Sequence, residues 1–178
     1  MPKSCRFHPI PGSISEIAVL HDEPTWMVRL ECSVAAETQR IFQALTLPEH
    51  MESWLSLPCC GSNNRNRAFA AQDGFSVAHA CSDGHPFTTI AGEYATCRTR
   101  KLRFSWTVAG DVVLDRTVVD IRLSGDFGRS VLRLQHSGFR SEPDCRWHQA
   151  LWSASLERLC KFFDPSLVHG RAALLRVH

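Results

Sequence analysis

The chain has almost no excess charge of either sign: 20 Lys and Arg stand against 18 Asp and Glu, a formal net of +2. A balance this even gives no general attraction to a phosphate backbone, so no nucleic-acid partner is expected. No apolar run approaches the length of a membrane span, and the opening Met1-Pro-Lys-Ser-Cys-Arg-Phe-His-Pro-Ile-Pro11 lacks the apolar core of a secretion signal. The expectation is a cytoplasmic protein with no membrane span. Redox spacing is missing too. Cys59-Cys60 are vicinal rather than two residues apart and read as loop thiols without function. The eight cysteines do not suggest a disulfide framework, which belongs to short secreted chains. Cys32, Cys97 and Cys160 stand inside apolar-patterned segments and are expected as buried free thiols. A nucleophile with its base, paired carboxylates and a phosphate-binding glycine loop are all absent, so no catalytic residue and no cofactor is assigned.

What remains is ordinary globular composition. Hydrophobic residues make up 44% of 178 and charged residues 21%, enough for one domain with modest extensions. Residues 1–25 are broken by Pro2, Pro9, Pro11, Gly12 and Pro24 around one short candidate helix, whose capping box is Ser13 and Glu16. They read as an N-terminal extension. From Trp26 the sequence alternates, Trp26, Val28, Leu30 and Cys32 against Met27, Arg29 and Glu31, which is the period of a half-buried strand. Ile41, Phe42, Ala44 and Leu45 fall at helical spacing, and Thr46-Leu-Pro-Glu49 offers a capping box for a second short helix carrying His50, Met51 and Trp54. The stretch Cys59 to Arg67 reads as a polar loop.

Six strand-like runs follow, at 75–82, 85–91, 92–98, 102–108, 117–123 and 130–136, divided by turn signals that include Asp83-Gly84 and Gly125-Asp-Phe-Gly128. This order makes an antiparallel meander. Apolarity assigns Leu102, Phe104, Trp106, then Val119, Ile121, Leu123, then Leu132, Leu134, His136 to its inner face, and turns Arg103, Asp120, Arg122 and Arg133 outward. Ser141-Glu-Pro-Asp144 caps a long final helix with an apolar stripe at Trp152, Leu156, Leu159 and Phe163, stopped by Pro165. Residues 165–178 are a tail.

One strand, a helix pair, an antiparallel run and a long amphipathic helix follow the order of the helix-grip fold. Local sequences sharpen the match: Ala44-Leu-Thr-Leu-Pro-Glu-His50 with Trp54, Gly92-Glu-Tyr to Leu102-Arg-Phe-Ser-Trp106, Leu132-Arg-Leu-Gln-His-Ser-Gly-Phe139, and Trp152 with Leu156, Arg158 and Leu159. Over residues 26–164 these resemble the activator of heat-shock protein 90 ATPase homologue family of START-like (Bet v 1-like, SRPBCC) domains. The resemblance implies an α+β domain in which a curved antiparallel sheet wraps the C-terminal helix around a cavity. Two departures stand out. Leu151 occupies a position where the family usually has glycine, which narrows the cavity, and Thr99 one where a proline often precedes the next strand.

Trp54, Phe75, Trp106, His136, Trp147, His148, Trp152 and Phe163 are the residues expected around such a cavity, since a ligand site is mostly apolar with a few convergent polar groups. Each is also explained by plain core packing. His136 differs in kind: it sits in the apolar phase of its strand, where an imidazole donates to a ligand or serves as a base unless the core satisfies it. His79, Cys81, Asp83 and His85 recur every second residue and are metal-ligand types, but a two-residue turn at Asp83-Gly84 pairs Ser82 with His85 and splits the set, so no metal is assigned. Arg98, Arg100, Lys101 and Arg103 cluster at one turn and read as a solvated hairpin end rather than the site of an acidic partner.

The resulting expectation is non-catalytic binding of a small hydrophobic or amphipathic molecule between sheet and final helix. A cyclase or dehydratase using His136 or His148 in the same cavity is the alternative, and a co-chaperone or other protein-interaction module the third reading. A homodimer, with a role for Pro2 to Pro24, and a chaperone partner stay open.

Overall fold

The computed structural model describes residues 26–57, 65–71, 73–80, 88–109 and 117–169. Strand β1 (Trp26–Val34) leads into helices α1 (Thr38–Thr46) and α2 (Pro48–Trp54). Then come β2 (Arg65–Ala71), β3 (Gly74–Ala80), β4 (Thr88–Arg98), β5 (Lys101–Ala109), β6 (Thr117–Asp126), β7 (Arg129–Phe139), α3 (Glu142–Phe163) and a 3-10 turn (Pro165–His169). The sheet is antiparallel with order β1-β7-β6-β5-β4-β3-β2, so β1 closes back on β7 at one edge. The alternation read from the sequence holds along the central strands. All nine residues assigned inward from Leu102 to His136 are buried, while Arg103, Arg122 and Arg133 are exposed and Asp120 half-buried. This is the helix-grip architecture, with one face of the sheet packed on the helices and the other facing solvent.

Helix α3 begins as expected. Ser141 Oγ accepts from the Asp144 amide at 3.2 Å, proline sits in the first turn, and Glu142 and Asp144 lie at the positive end of the helix dipole. Its buried face runs through Cys145, His148, Leu151, Trp152, Ser155, Leu156, Leu159 and Cys160. Ser155 ties this face to the chain after α2: it accepts from the Ser56 amide at 3.0 Å and donates to the Ser56 carbonyl at 3.3 Å. Leu151 is fully buried in the same row. A side chain there fills volume that glycine would leave open.

Several expectations are corrected. Arg65 to Ala71, in part assigned to the polar loop, is an edge strand paired with β3 from Arg65↔Ala80 to Ala71↔Gly74. Its apolar signal is weak because it has one neighbour and largely exposed side chains, Phe69 included. The runs at 85–91 and 92–98 form one strand from Thr88 onward, and Gly92 does not end it. A Cβ at Gly92 would stand 2.7 Å from the Phe75 ring and 2.5 Å from the Ser105 carbonyl oxygen, so glycine lets that ring lie over the backbone. The irregularity comes later, where the register shifts between Tyr94 and Thr96. Thr46 caps no helix: it ends α1, its hydroxyl donating to the Phe42 carbonyl at 2.8 Å, and α2 starts from Leu47 without a side-chain cap. Cys97 is exposed, lying opposite Leu102 close to the β4–β5 turn, whereas Cys32 and Cys160 are buried free thiols.

The loop at Gly125 to Gly128 is a hairpin turn as read. Asp126 pairs with Arg129, and Phe127 and Gly128 both have positive φ, 57° and 81°, as a tight two-residue turn requires. The proposed capping box at Ser13, the Cys59-Cys60 pair and the Ser82–His85 pairing lie outside the described residues. Among the described residues no helix is long and apolar enough to cross a membrane.

Candidate functional site

Five elements, β3, β4, β5, β7 and α3, bring aromatic and imidazole rings together between sheet and helix. From β5, Trp106 is buried with its ring centroid 4.8 Å from that of Trp152 on α3. His136 arrives from β7, 5.8 Å from Trp106 and 4.9 Å from His148, and Phe139 stacks within 4.5 Å of His136 and 4.8 Å of His148. Half-buried Trp147 lies edge-on to His148 at 4.7 Å. Phe75 extends the cluster along the sheet through Phe104 at 5.3 Å, Tyr94 at 5.8 Å and Trp106 at 6.3 Å. Six of the eight residues expected at a cavity therefore meet: Phe75, Trp106, His136, Trp147, His148 and Trp152.

The structure does not bring Trp54 or Phe163 into this ring cluster. Trp54 is buried with its Nε1 donating to the Ala44 carbonyl at 2.7 Å, which locks α2 to α1. Phe163, at the last turn of α3, contacts the Phe162 ring at 5.1 Å and lies under the Arg40 guanidinium. Sequence reasoning left Tyr94, Phe104 and Phe139 out of the cavity set, although it had turned Phe104 to the inner face. It also missed Thr117, whose only signal was its place opposite Trp106 at the start of a strand.

The polar atoms of the interior divide into satisfied and unsatisfied sets. Trp152 Nε1 donates to His136 Nδ1 at 3.0 Å, so that nitrogen is the acceptor and the proton sits on Nε2. Nε2–H then donates to Thr117 Oγ1 at 2.7 Å, and the Thr117 hydroxyl donates to the Trp106 carbonyl at 3.2 Å. Both nitrogens of His136 are thus engaged by protein, and burial together with the neighbouring His148 holds its pKa well below the usual imidazole range. This is a satisfied core histidine, with no free lone pair or proton to offer a guest.

His148 is arranged otherwise. Its Nδ1 lies 2.8 Å from the Asp144 carbonyl and therefore carries the proton, leaving the Nε2 lone pair inward. Burial lowers its pKa, only partly offset by that carbonyl. His148 Nε2, Trp106 Nε1 and the Tyr94 hydroxyl are buried with no hydrogen-bond partner among the described residues. Desolvation raises the Tyr94 phenol as well, so it stays protonated. The interior offers a fixed N–H donor, a fixed imidazole acceptor and a neutral phenol, without a formal charge.

His79 belongs to a separate cluster. Fully buried on β3, it meets Asn66 Oδ1 through Nδ1 at 2.7 Å, while the Asn66 amide donates to the Leu55 and Glu52 carbonyls at the end of α2. Burial lowers its pKa to about 4. Cys81, Asp83 and His85 lie outside the described residues. Among those described, no three metal-ligating side chains come together.

A curved antiparallel sheet closed over a long C-terminal helix, with an aromatic interior holding a few convergent polar atoms, defines a START-like helix-grip domain. The chain belongs to the activator of Hsp90 ATPase homolog 1-like protein family, which matches it over residues 35–164. No curated protein matches the chain. Among solved structures, the AHSA1 protein of Silicibacter pomeroyi aligns at 15% identity with a TM-score of 0.66, over 79% of this chain and 99% of its own. CalU16 of Micromonospora echinospora aligns at 19% identity and TM-score 0.53, over 80% and 79%. The Aha1 dimer of Colwellia psychrerythraea aligns at 16% and 0.55, over 78% and 96%. At these identities the likeness carries the fold alone.

Proposed function

We propose that the protein binds a small, uncharged, mostly apolar molecule between the sheet and α3, without covalent chemistry. The carrying observation is the pair of polar atoms in the ring cluster that find no partner among the described residues, Trp106 Nε1 and His148 Nε2. A buried donor or acceptor left unsatisfied costs about 1–3 kcal/mol, which a guest with the complementary atoms recovers on binding. Trp106 requires an acceptor on the guest and His148 a donor. A hydroxyl supplies both, and the surrounding rings match an aromatic or alicyclic body. Neutral histidines favour a neutral guest, because an anion placed here would lose its hydration without gaining a cation. The rings lie in contact with one another, so entry requires them to part.

The cyclase or dehydratase reading needs a group free to move a proton. With His136 committed to Trp152 and Thr117, that role falls among the described residues to His148 Nε2 and the Tyr94 hydroxyl, and Tyr94 packs on Phe75 and Phe104 while His148 packs on Trp106, His136, Phe139 and Trp147. Binding without chemistry is the simpler account.

Two measurements test it. Gently purified protein is examined by native and then denaturing mass spectrometry for a co-purifying neutral compound, and 2-naphthol is titrated against naphthalene by tryptophan fluorescence. The hydroxyl should tighten binding about tenfold, the equivalent of one recovered hydrogen bond. Trp106→Phe should abolish that preference while leaving naphthalene binding intact. Equal affinity for the two compounds, or an empty protein that binds neither, would count decisively against the proposal.

A further inference from the structure

The outer face of the sheet carries a feature that the interior site does not use. Direct cross-strand pairing aligns Glu31 on β1, Arg133 on β7, Arg122 on β6, Lys101 on β5 and Arg98 on β4 in one row. Four adjacent strands thus present four cations side by side, with a carboxylate at one end only. Arg133 is neutralised by Glu31 at 2.6 Å. In the next row, two residues along each strand, Arg103 is paired with Asp120 at 3.4 Å.

Arg122 has no carboxylate of its own among the described residues, and it stands directly between Arg133 and Lys101. Like charges opposite each other in a sheet oppose folding. Neighbouring strands lie only about 4.8 Å apart, well inside the Debye length of about 8 Å at physiological salt, so the repulsion is not screened away. The row borders a cavity of about 560 Å³ on this face, within the size range of small-molecule sites. Arg29, on the same face, adds a further cation to its lining. This concentration of positive charge is local, because the whole chain carries a net of only +2.

We infer that the outer sheet face is a binding site for a compact oligoanion, a small molecule carrying two or more linked phosphate groups. Guanidinium forks at strand spacing suit successive phosphates, each of which accepts two parallel charged hydrogen bonds. The cavity volume favours a compact ligand over an extended acidic chain. Two members of the turn cluster of Arg98, Arg100, Lys101 and Arg103 thereby acquire a role that their position at a hairpin end did not suggest: Lys101 and Arg98 extend a row begun by Arg122 and Arg133.

The test is calorimetric titration of the full chain with inorganic tripolyphosphate, orthophosphate and a hexaglutamate peptide, with backbone-amide NMR mapping of the site. Tripolyphosphate should bind at a single site, shift amides at Lys101, Arg122 and Arg133 rather than on α3, and bind at least tenfold tighter than orthophosphate. Arg122→Gln should weaken it about tenfold, the loss of one charge-assisted contact, while Arg146→Gln, which removes an equal charge from exposed α3, should leave it unchanged. Lys101→Gln replaces Arg122→Gln should that variant fail to fold. Absence of binding, equal loss in both charge variants, or equal affinity for orthophosphate would overturn the inference. Tighter binding of the peptide would also overturn it, assigning the face to an acidic protein partner.

Discussion

On β5, Leu102, Phe104 and Trp106 are buried against the interior, while Lys101 and Arg103 stand exposed on the opposite face of the same strand. Strands β6 and β7 repeat the pattern, with Ile121 and Leu134 inward and Arg122 and Arg133 outward. Inside, a polar atom is satisfied only by protein or by a guest: His136 is held at both nitrogens, while Trp106 Nε1 and His148 Nε2 meet no partner among the described residues. Outside, water solvates each cation, so Arg98, Lys101 and Arg122 stand side by side on adjacent strands without collapse, next to an Arg133 that Glu31 neutralises. Interior polarity is therefore fixed in geometry and tied to stability. Exterior polarity tolerates frustration and is available for recognition.

Removing Trp152 should produce the widest separation between the faces. Trp152→Ala is expected to cost about 3–5 kcal/mol in urea unfolding, through the cavity it leaves and the loss of the donor to His136 Nδ1. By contrast, Arg122→Gln should move stability by no more than about 0.5 kcal/mol. Comparable losses in the two variants would erase the distinction drawn between the faces.

Acid provides the next probe. His79, His136 and His148 are all held neutral by burial, with pKa values below that of an exposed imidazole. The unfolded chain takes up these protons near pH 6.5 and the folded chain resists them, so stability is fully present above about pH 6.5 and falls as pH drops below it. His79, lowered to about 4, should account alone for a loss on the order of 3 kcal/mol by that pH. Unfolding free energies between pH 7 and 4 should show the decline, and His79→Gln should make it shallower. A flat profile would mean that these imidazoles take up protons as readily in the fold as in the unfolded chain.

The smallest effect is expected outside. A double-mutant cycle on Glu31 and Arg133 should give a coupling below about 1 kcal/mol that fades with added salt, since both side chains are partly exposed. A salt-insensitive coupling above that size would place this pair with the interior groups.

Much of this organisation was legible in the chain. Period-two alternation revealed both faces of β5, β6 and β7, and Ser141 announced the start of α3. Edge strand β2 was hidden because Asn66 to Ala71 bury little and so carry no apolar period. Gly92 was misleading for a related reason: a strand glycine signals a break or a close approach, and only the position of the Phe75 ring distinguishes them. Within the site, the aromatic inventory was readable but the split between members and bystanders was not. Trp54 and Trp152 look alike as helical tryptophans, yet one donates to a carbonyl ten residues away and the other to a histidine on a different element.

Alternation, capping and turn chemistry are local, and they determined β1, β5, β6 and β7, the final helix and the inward set. Tertiary structure decided which polar atoms found partners. The state of His136 depends on Thr117 and Trp152, 19 and 16 residues distant, and the cationic row exists only where Arg98, Lys101, Arg122 and Arg133 are brought into register. Hydrogen bonds and charge repulsion act over a few ångströms of space, and separation along the chain does not specify that distance until the sheet has closed.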